Sequence, residues 1–311
     1  MKNLFSKPNV DAILLFIVIL IIYIFTANTD VTYTDNGELA AACAMLGIAH
    51  PTGYPLFTLL GHLWSLIPFG FSKIYSLNLF AAILTALSSI VLFYTSLMIL
   101  SNAKFRNKQI IEGSQKRKRH IDISYQNLDL SSFSQIIISL IIALTYGLAQ
   151  TIWEQANSLE VYSLQLLLMN LVIFFVLKAY FSHSKKYYFI TAFCLGLTMS
   201  NHLTGILLVP AILWLYFLDE KRQFRITADK FIIILLVPFI VALSVYIYLP
   251  IRSAMLPAVN WGWVHRGFSK FMYHISGGQY QVWMFSGASV IFKNIGKFFS
   301  LLPYQFGIFG L

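Results

Sequence analysis

Residues 74–103 read IYSLNLFAAILTALSSIVLFYTSLMILSNA, thirty positions between Lys73 and Lys104 without a charged side chain. A bilayer's hydrocarbon core is about 30 Å thick and takes roughly 20 helical residues to cross. This stretch is therefore long enough to span as a single helix. The same reading recurs outward in both directions. Eighteen uncharged residues separate Asp11 from Asp30, twenty-four separate Asp129 from Glu154, and seventeen separate Glu160 from Lys178. Further on, thirty-two separate Lys186 from Asp219 and twenty-one separate Lys230 from Arg252. Over the whole chain 58% of residues are hydrophobic and only 11% are charged, far from a soluble domain. In lipid a helix satisfies its own backbone, and no barrel-type alternation is visible. The expected fold is all-α, a polytopic transmembrane helical bundle.

The net charge of +10 would suggest nucleic acid in a soluble protein, but its distribution answers the question. Lys104, Arg106, Lys108, Lys116, Arg117, Lys118 and Arg119 fall in one polar loop. Lys185 and Lys186 fall in a second, Lys221, Arg222, Arg225 and Lys230 in a third, and Lys2 and Lys7 at the N-terminus. These places alternate along the chain as cytoplasmic loops do under the positive-inside rule. The opposite loops hold Asp30, Asp35, Glu38, Glu154 and Glu160, with Lys73 at the border of the next span. The basic charge is topological, and no nucleic-acid partner is expected.

Spans and charges together give one topology. Helix one covers about 10–27 as an uncleaved segment, since no cleavage site follows its apolar core. A long outer loop, 28–72, carries one short helix after Asp35 and another after Pro55, broken apart by Pro51, Gly53 and Pro55. Helix two runs over about 73–101 into the cytoplasmic basic loop 102–132. Helices three and four form a hairpin, 133–152 and 162–182. The segment 187–218 has cytoplasmic charge at both ends, so it is read as two helices meeting near Asn201-His202-Leu203-Thr204-Gly205. Helix seven, 231–249, delivers Arg252 into an outer loop of 250–290. Residues 298–311 look like the opening of another span, as in a fragment of a longer protein, and 1–311 is read as a single domain. Cys43 and Cys194 stand far apart in apolar sequence and suggest neither a disulfide nor a metal cluster. No cofactor and no metal is expected.

The candidate chemistry sits in the outer loops. Ionisable groups at the membrane are costly and tend to be kept for function. Asp35 and Glu38, three apart, share a helix face. They fit a capping box ahead of Leu39-Ala40-Ala41-Ala42, and equally a carboxylate that removes a proton from an attacking hydroxyl. Glu154 and Glu160 bound a turn with aromatics and no base, which is either an ordinary polar turn or a sugar-binding one. His202, after Asn201, is either a packed helix-end residue or a substrate contact. Arg252 either snorkels or holds an anionic lipid phosphate through its donor fork. Trp261, in Trp261-Gly262-Trp263, belongs to an interfacial belt or lines a saccharide pocket.

The run Thr34-Asp35-Asn36-Gly37-Glu38-Leu39, with Gly47-Ile48-Ala49-His50-Pro51-Thr52-Gly53-Tyr54-Pro55-Leu56-Phe57, resembles the hallmark of a multi-spanning family of protein O-mannosyltransferases. These belong to the C-type glycosyltransferase superfamily. The likeness continues through Trp153-Glu154, Glu160-Val161-Tyr162-Ser163-Leu164, Gly196-Leu197, Asn201-His202, Tyr248-Leu249-Pro250-Ile251-Arg252 and Trp261-Gly262, in order, over residues 30 to 285. Asn36 and Thr52 depart from the family's usual small hydroxyl or proline without removing an ionisable group. The resemblance implies an inverting transfer of a sugar, mannose foremost, from a polyprenyl-phosphate donor to a polypeptide or glycan hydroxyl, outside the cytoplasm. It implies Asp35 as base with Glu38 assisting. His50, Tyr54, Glu154, Glu160, Asn201, His202, Arg252 and Trp261 are then substrate-binding, with Arg252 and His202 set against the phosphate. The compact loops, with no eukaryotic sorting signal, favour a bacterial inner membrane over an endoplasmic reticulum. A secondary transporter, which would carry ionisable groups on broken helices at mid-membrane, and a non-catalytic assembly protein are the rival classes.

Overall fold

The computed structural model describes residues 10–32, 34–111, 120–127, 130–223, 232–283 and 287–305. The basic positions Lys2, Lys7, Lys116, Arg117, Lys118, Arg119, Arg225 and Lys230, and residues 306–311, lie outside the described residues.

The described chain is a helical bundle. Its helices are α1 (Val10–Thr26), α2 (Asn36–Met45), α3 (Pro55–Ser65), α4 (Lys73–Asn102), α5 (Ser132–Gly147) and α6 (Gln150–Asn157). They continue as α7 (Val161–Ser182), α8 (Lys185–Asn201), α9 (Val209–Gln223), α10 (Ile232–Ala254), α11 (Phe268–Ile275) and α12 (Ala288–Gln305). Within the basic loop, β1 (Lys104–Ile111) and β2 (His120–Asn127) form an antiparallel ribbon with Lys104 opposite Asn127. By length and composition α4, α7 and α10 can each cross a membrane, and the bent pair α5–α6 makes a fourth if it counts as one span.

Local chemistry sets the boundaries. Ser72 caps α4 by accepting the Tyr75 N–H, and Ser131 caps α5 by accepting that of Ser134, each satisfying an orphan donor. Pro55 opens α3, where its missing N–H costs nothing. The straight helix expected over 133–152 is instead broken after Gly147, and α6 turns off by 62°. A physical reason is at hand: the Tyr23 hydroxyl of α1 donates to the Gly147 carbonyl at 2.6 Å, occupying an acceptor at the break. Helix α10 continues to Ala254, so Arg252 lies in its last turn and not beyond it. The expected meeting near residues 201–205 is present: α8 ends at Asn201, and a 3-10 turn, Leu203–Leu208, leads into α9. Residues 298–305 belong to α12, which begins ten positions earlier than the expected opening at 298.

Packing follows the sidedness of each helix. α1 buries Ala12, Leu15, Ile19 and Tyr23 against α4 and α5 and exposes Ile13, Ile17, Val18 and Ile21, as a lipid-facing helix does. α8 and α10 approach closely at Gly196, where a Cβ would lie 2.5 Å from the Phe239 carbonyl oxygen; small residues permit such contacts. α2 and α3 rest on the starts of α4 and α7 through Leu39, Cys43, Phe57, Leu77 and Leu159. Cys43 and Cys194 are free and buried.

The ends of the helices converge on one side. Asn36 Nδ2 donates to Asn78 Oδ1 and to the Leu159 carbonyl, at 3.1 and 3.3 Å. The Leu159 N–H donates to the same Asn78 oxygen at 2.8 Å, and Asn78 Nδ2 donates to the Asn28 carbonyl at 2.7 Å. The ends of α1 and α6 and the starts of α2, α4 and α7 are thus tied to one buried amide. α4 leaves this side and, at 30 residues, reaches the basic ribbon about 45 Å away.

Replacing Asn78 with Leu removes these bonds and strands the Leu159 N–H and the Asn36 amide in a buried place. We expect a loss of roughly 2–5 kcal/mol, seen as a lower thermal midpoint in detergent and faster proteolysis within residues 28–72. The exposed Thr34→Ala control is expected to leave both unchanged.

Candidate active site

Asp35 immediately precedes α2, but its side chain makes no capping hydrogen bond. Glu38 does not reach back to the helix start either. Its Oε1 accepts the backbone N–H of His50 at 2.7 Å, and both carboxylate oxygens lie 3.2 Å from His50 Nδ1. The capping box allowed by the Asp-x-x-Glu spacing is not formed; both acids are turned to the His50 turn.

That turn is held in an uncommon backbone. Gly53 has φ +85°, and a Cβ there would meet Leu249 at 2.8 Å, so only glycine fits. Tyr54 follows with φ 41°, a conformation rare for a bulky residue. Its hydroxyl meets His50 Nε2 at 3.0 Å and donates to the Pro51 carbonyl at 3.1 Å, bonds that offset the strain. The arrangement leaves His50 Nε2 3.7 Å from Asp35 Oδ2. Carboxylate, imidazole and carboxylate stand in a row.

The charges reinforce one another. Burial disfavours the charged form of Glu38, but the hydrogen bonds and charge of His50 outweigh it and hold the carboxyl below its ordinary value. For His50 burial also works against charge, yet Glu38, Asp35 and Glu160 raise its pKa above the usual imidazole range. Glu160 precedes α7; burial and the Asp35 charge push its pKa up to about 7, against the opposing pull of the Asp35 backbone and of His50. His202 is held below its ordinary value by burial and by the charge of His50.

A cavity of about 910 Å³ opens beside Asp35, lined also by Asn28, Thr32, Glu154, Glu160 and Tyr162. The structure therefore brings Asp35, Glu38, His50, Tyr54, Glu160 and His202 to one place, with Glu154 on the cavity wall. The His202 ring lies 6.0 Å from that of Tyr54 and 5.3 Å from that of Tyr162. Three other sequence candidates sit differently. Asn201 is fully buried, and its amide donates to the Val161 carbonyl and to Gln165, joining α8 to α7 in place of facing the cavity. Arg252 Nε donates to the Leu46 carbonyl at 2.6 Å and Nη2 to that of Met45 at 3.3 Å. It closes the far end of α2, a ten-residue helix and so about 15 Å from Asp35. Trp261 is half-exposed and donates its backbone N–H to Ile48, beside the His50 turn.

Asp35, Glu38 and His50 offer three ligand atoms within 4.8 Å of one another, enough to hold a cation. Of the three, His50 is engaged by both Glu38 and Tyr54, while Asp35 stands 3.7 Å from it. Spacing alone gave no such signal, because His50 reaches the acids only through the turn.

The sequence reading passed over several residues that build the site. Asn78 and Gln165 sit in the second turns of α4 and α7, and Gln165 holds Asn201 and the His202 carbonyl. A neutral amide at the mouth of an apolar span is the signal that a count of charges ignores. His274 of α11 is 1% exposed; burial pushes its pKa down to about 4.

A sequence-family model described as the N-terminal domain of protein O-mannosyl-transferase TMEM260 matches residues 35–225. The mouse (Mus musculus) protein O-mannosyl-transferase TMEM260 is 30% identical over 236 residues, covering 74% of this chain and 28% of the relative. The Dictyostelium discoideum protein O-mannosyl-transferase tmem260 is 25% identical over 320 aligned residues, covering 96% of this chain and 35% of the relative. The chain thus spans roughly a third of the length of the curated relatives it matches. No solved structure matches it. Both relatives are eukaryotic, so they lend no support to the bacterial inner membrane favoured from the loops.

The raised His50 value means its share of stability is full below the ordinary imidazole pKa and fades as pH rises through the raised one. The lowered Glu38 value means its share is present above the ordinary carboxyl pKa and fades as pH falls through the lowered one. The difference in thermal midpoint between wild type and Glu38→Gln is therefore expected to be largest between about pH 4.3 and 6.5. It should shrink on both sides; a pH-independent difference would mean that the pair is not ionic.

Proposed function

Because the chain belongs to the protein O-mannosyl-transferase family defined by the TMEM260 N-terminal domain, we propose that it transfers mannose from a polyprenyl-phosphate donor to a polypeptide Ser or Thr hydroxyl. The reaction takes place on the extracytoplasmic side, and residues 1–311 act as one transmembrane glycosyltransferase domain. The observation that carries this reading is the carboxylate of Asp35 on the cavity wall, with the Glu38-held His50 3.7 Å behind it.

The acceptor hydroxyl oxygen attacks the anomeric carbon as its proton passes to the Asp35 carboxylate. The bond from that carbon to the phosphate oxygen breaks, and the electron pair leaves with the lipid phosphate, inverting the centre. A hydroxyl nucleophile needs a base, and a phosphate leaving group needs cationic or dipolar stabilisation more than a strong acid. Glu38 fixes His50, and His50 places positive charge beside Asp35. His202, held by Thr204 at 3.0 Å, is the residue set towards the phosphate. Arg252 is engaged at the far end of α2 and is left out of the chemical step. A lipid-borne donor accounts for a transferase built almost wholly of apolar helices.

The side of the membrane rests on the basic loops and is tested by labelling. Asn36 is fully buried, so the probe belongs at the exposed Thr34. A cysteine at Thr34 should react from outside intact cells and one at Ser114 should not; the reverse pattern sinks the topology and the mechanism with it.

For the chemistry, full-length wild type and Asp35→Asn are compared in transfer from polyprenyl-phosphate mannose to a Ser/Thr peptide. Asp35 makes no side-chain cap, so the substitution spares the helix start, while loss of a general base costs about 10²–10⁴-fold in rate. Glu38→Gln is expected to lose less. Asp35→Asn activity within a few-fold of wild type would refute Asp35 as the base.

A further inference from the structure

Tyr162 is a large aromatic side chain in an unusual position. It is the second residue of α7, two positions after the Glu160 that stands beside Asp35. The residue is 44% exposed, and it lines the cavity beside Asp35. Behind it stands His202, with ring centroids 5.3 Å apart and planes inclined by 50°. Behind His202 lies Tyr54, parallel to it within 5° at 6.0 Å.

The two supporting rings are fixed. Tyr54 is 5% exposed and bonded through its hydroxyl to His50 and Pro51. His202 is tied through Nδ1 to the Thr204 hydroxyl, and its carbonyl receives the Gln165 amide. Tyr162 is thus a partly exposed ring tilted against His202, which in turn stacks on Tyr54. An aromatic face presented next to convergent polar groups is a common construction for a small-molecule pocket. A pyranose fits this one. One face of the sugar is a patch of C–H bonds that packs on an aromatic ring, while its rim of hydroxyls calls for the acceptors that Asp35 and Glu160 provide.

We propose that Tyr162 is the platform for the donor's hexopyranose, its ring carrying the apolar face of the sugar beside Asp35. This rests on the transferase reading above. It shifts the saccharide contact from Trp261, whose backbone pairs with Ile48, to a residue on the cavity wall. A purely interfacial tyrosine would instead anchor α7 at the membrane surface and leave sugar binding untouched.

The test varies polyprenyl-phosphate mannose at saturating peptide, in full-length wild type, Tyr162→Phe and Tyr162→Ala. The Phe variant keeps the ring and is expected within about twofold of wild type. The Ala variant is expected to raise the donor KM roughly tenfold, the equivalent of about 1.4 kcal/mol, with the peptide KM changed less than about twofold. A wild-type donor KM in Tyr162→Ala overturns the proposal, as does a rise confined to the peptide KM. Should the Ala variant fail to accumulate in the membrane, Tyr162→Leu takes its place, keeping apolar bulk without a ring face, with the same expected rise. A wild-type protein that transfers nothing removes the transferase reading and this inference together, whereas an active wild type with an indifferent Ala variant removes only the inference.

Discussion

The buried amide of Asn78 is the constraint on which the architecture of this end of the bundle depends. Its oxygen accepts from Asn36 and from the Leu159 backbone, and its nitrogen donates to the Asn28 carbonyl. A polar group in so apolar a place is costly unless it is paired, so the segments that satisfy it are held in one arrangement. Those segments are the ones that carry the candidate chemistry: the chain leaving α1, the start of α2 with Asp35, and the turn that ends in Glu160. Hydrophobic packing brings the helices together; this directional network sets how their ends meet. Amides within a membrane protein commonly work as such glue.

A second device carries that order to the candidate site. α2 is only ten residues long, too short to be stable alone, and it is closed at the far end by Arg252. At the near end Glu38 is committed to His50 through the backbone N–H and the ring. The left-handed Gly53 and Tyr54 then turn the chain so that His50 faces Asp35. Each of these residues serves the position of the next. The acids that the spacing allowed to be caps are released from capping by the partners that the turn supplies.

The same crowding separates the carboxylates electrically. The hydrogen bonds and charge of His50 hold Glu38 below its ordinary value, whereas Glu160, buried beside Asp35, has its pKa pushed up to about 7. Environments that drive neighbouring acids apart in pKa accompany acid–base chemistry. The cavity beside Asp35 and the exposed Tyr162 stand next to these shifted groups.

Much of this protein was legible in the sequence. Charge-free runs of membrane length, the two short helices after Asp35 and Pro55, and the break near Asn201 follow from local chemistry: solvation of charge, helix propensity and proline. Asp35 and Glu38 stand out in the sequence because acids are rare in this chain, and His50 through the block that resembles the family's hallmark. Tertiary structure alone decided the rest. The 62° turn between α5 and α6 coincides with a hydrogen bond from Tyr23, more than a hundred residues away in the chain. Arg252 and Asn201 became structural ties because their partners, Leu46 and Val161, are distant in sequence and adjacent in space. Asn78, Gln165 and His274 carry no charge signature in the linear pattern, and their roles exist only once several helix ends meet. Local sequence determines which segments form and which residues are expensive to bury; the pairing that repays the burial is a property of the assembled fold.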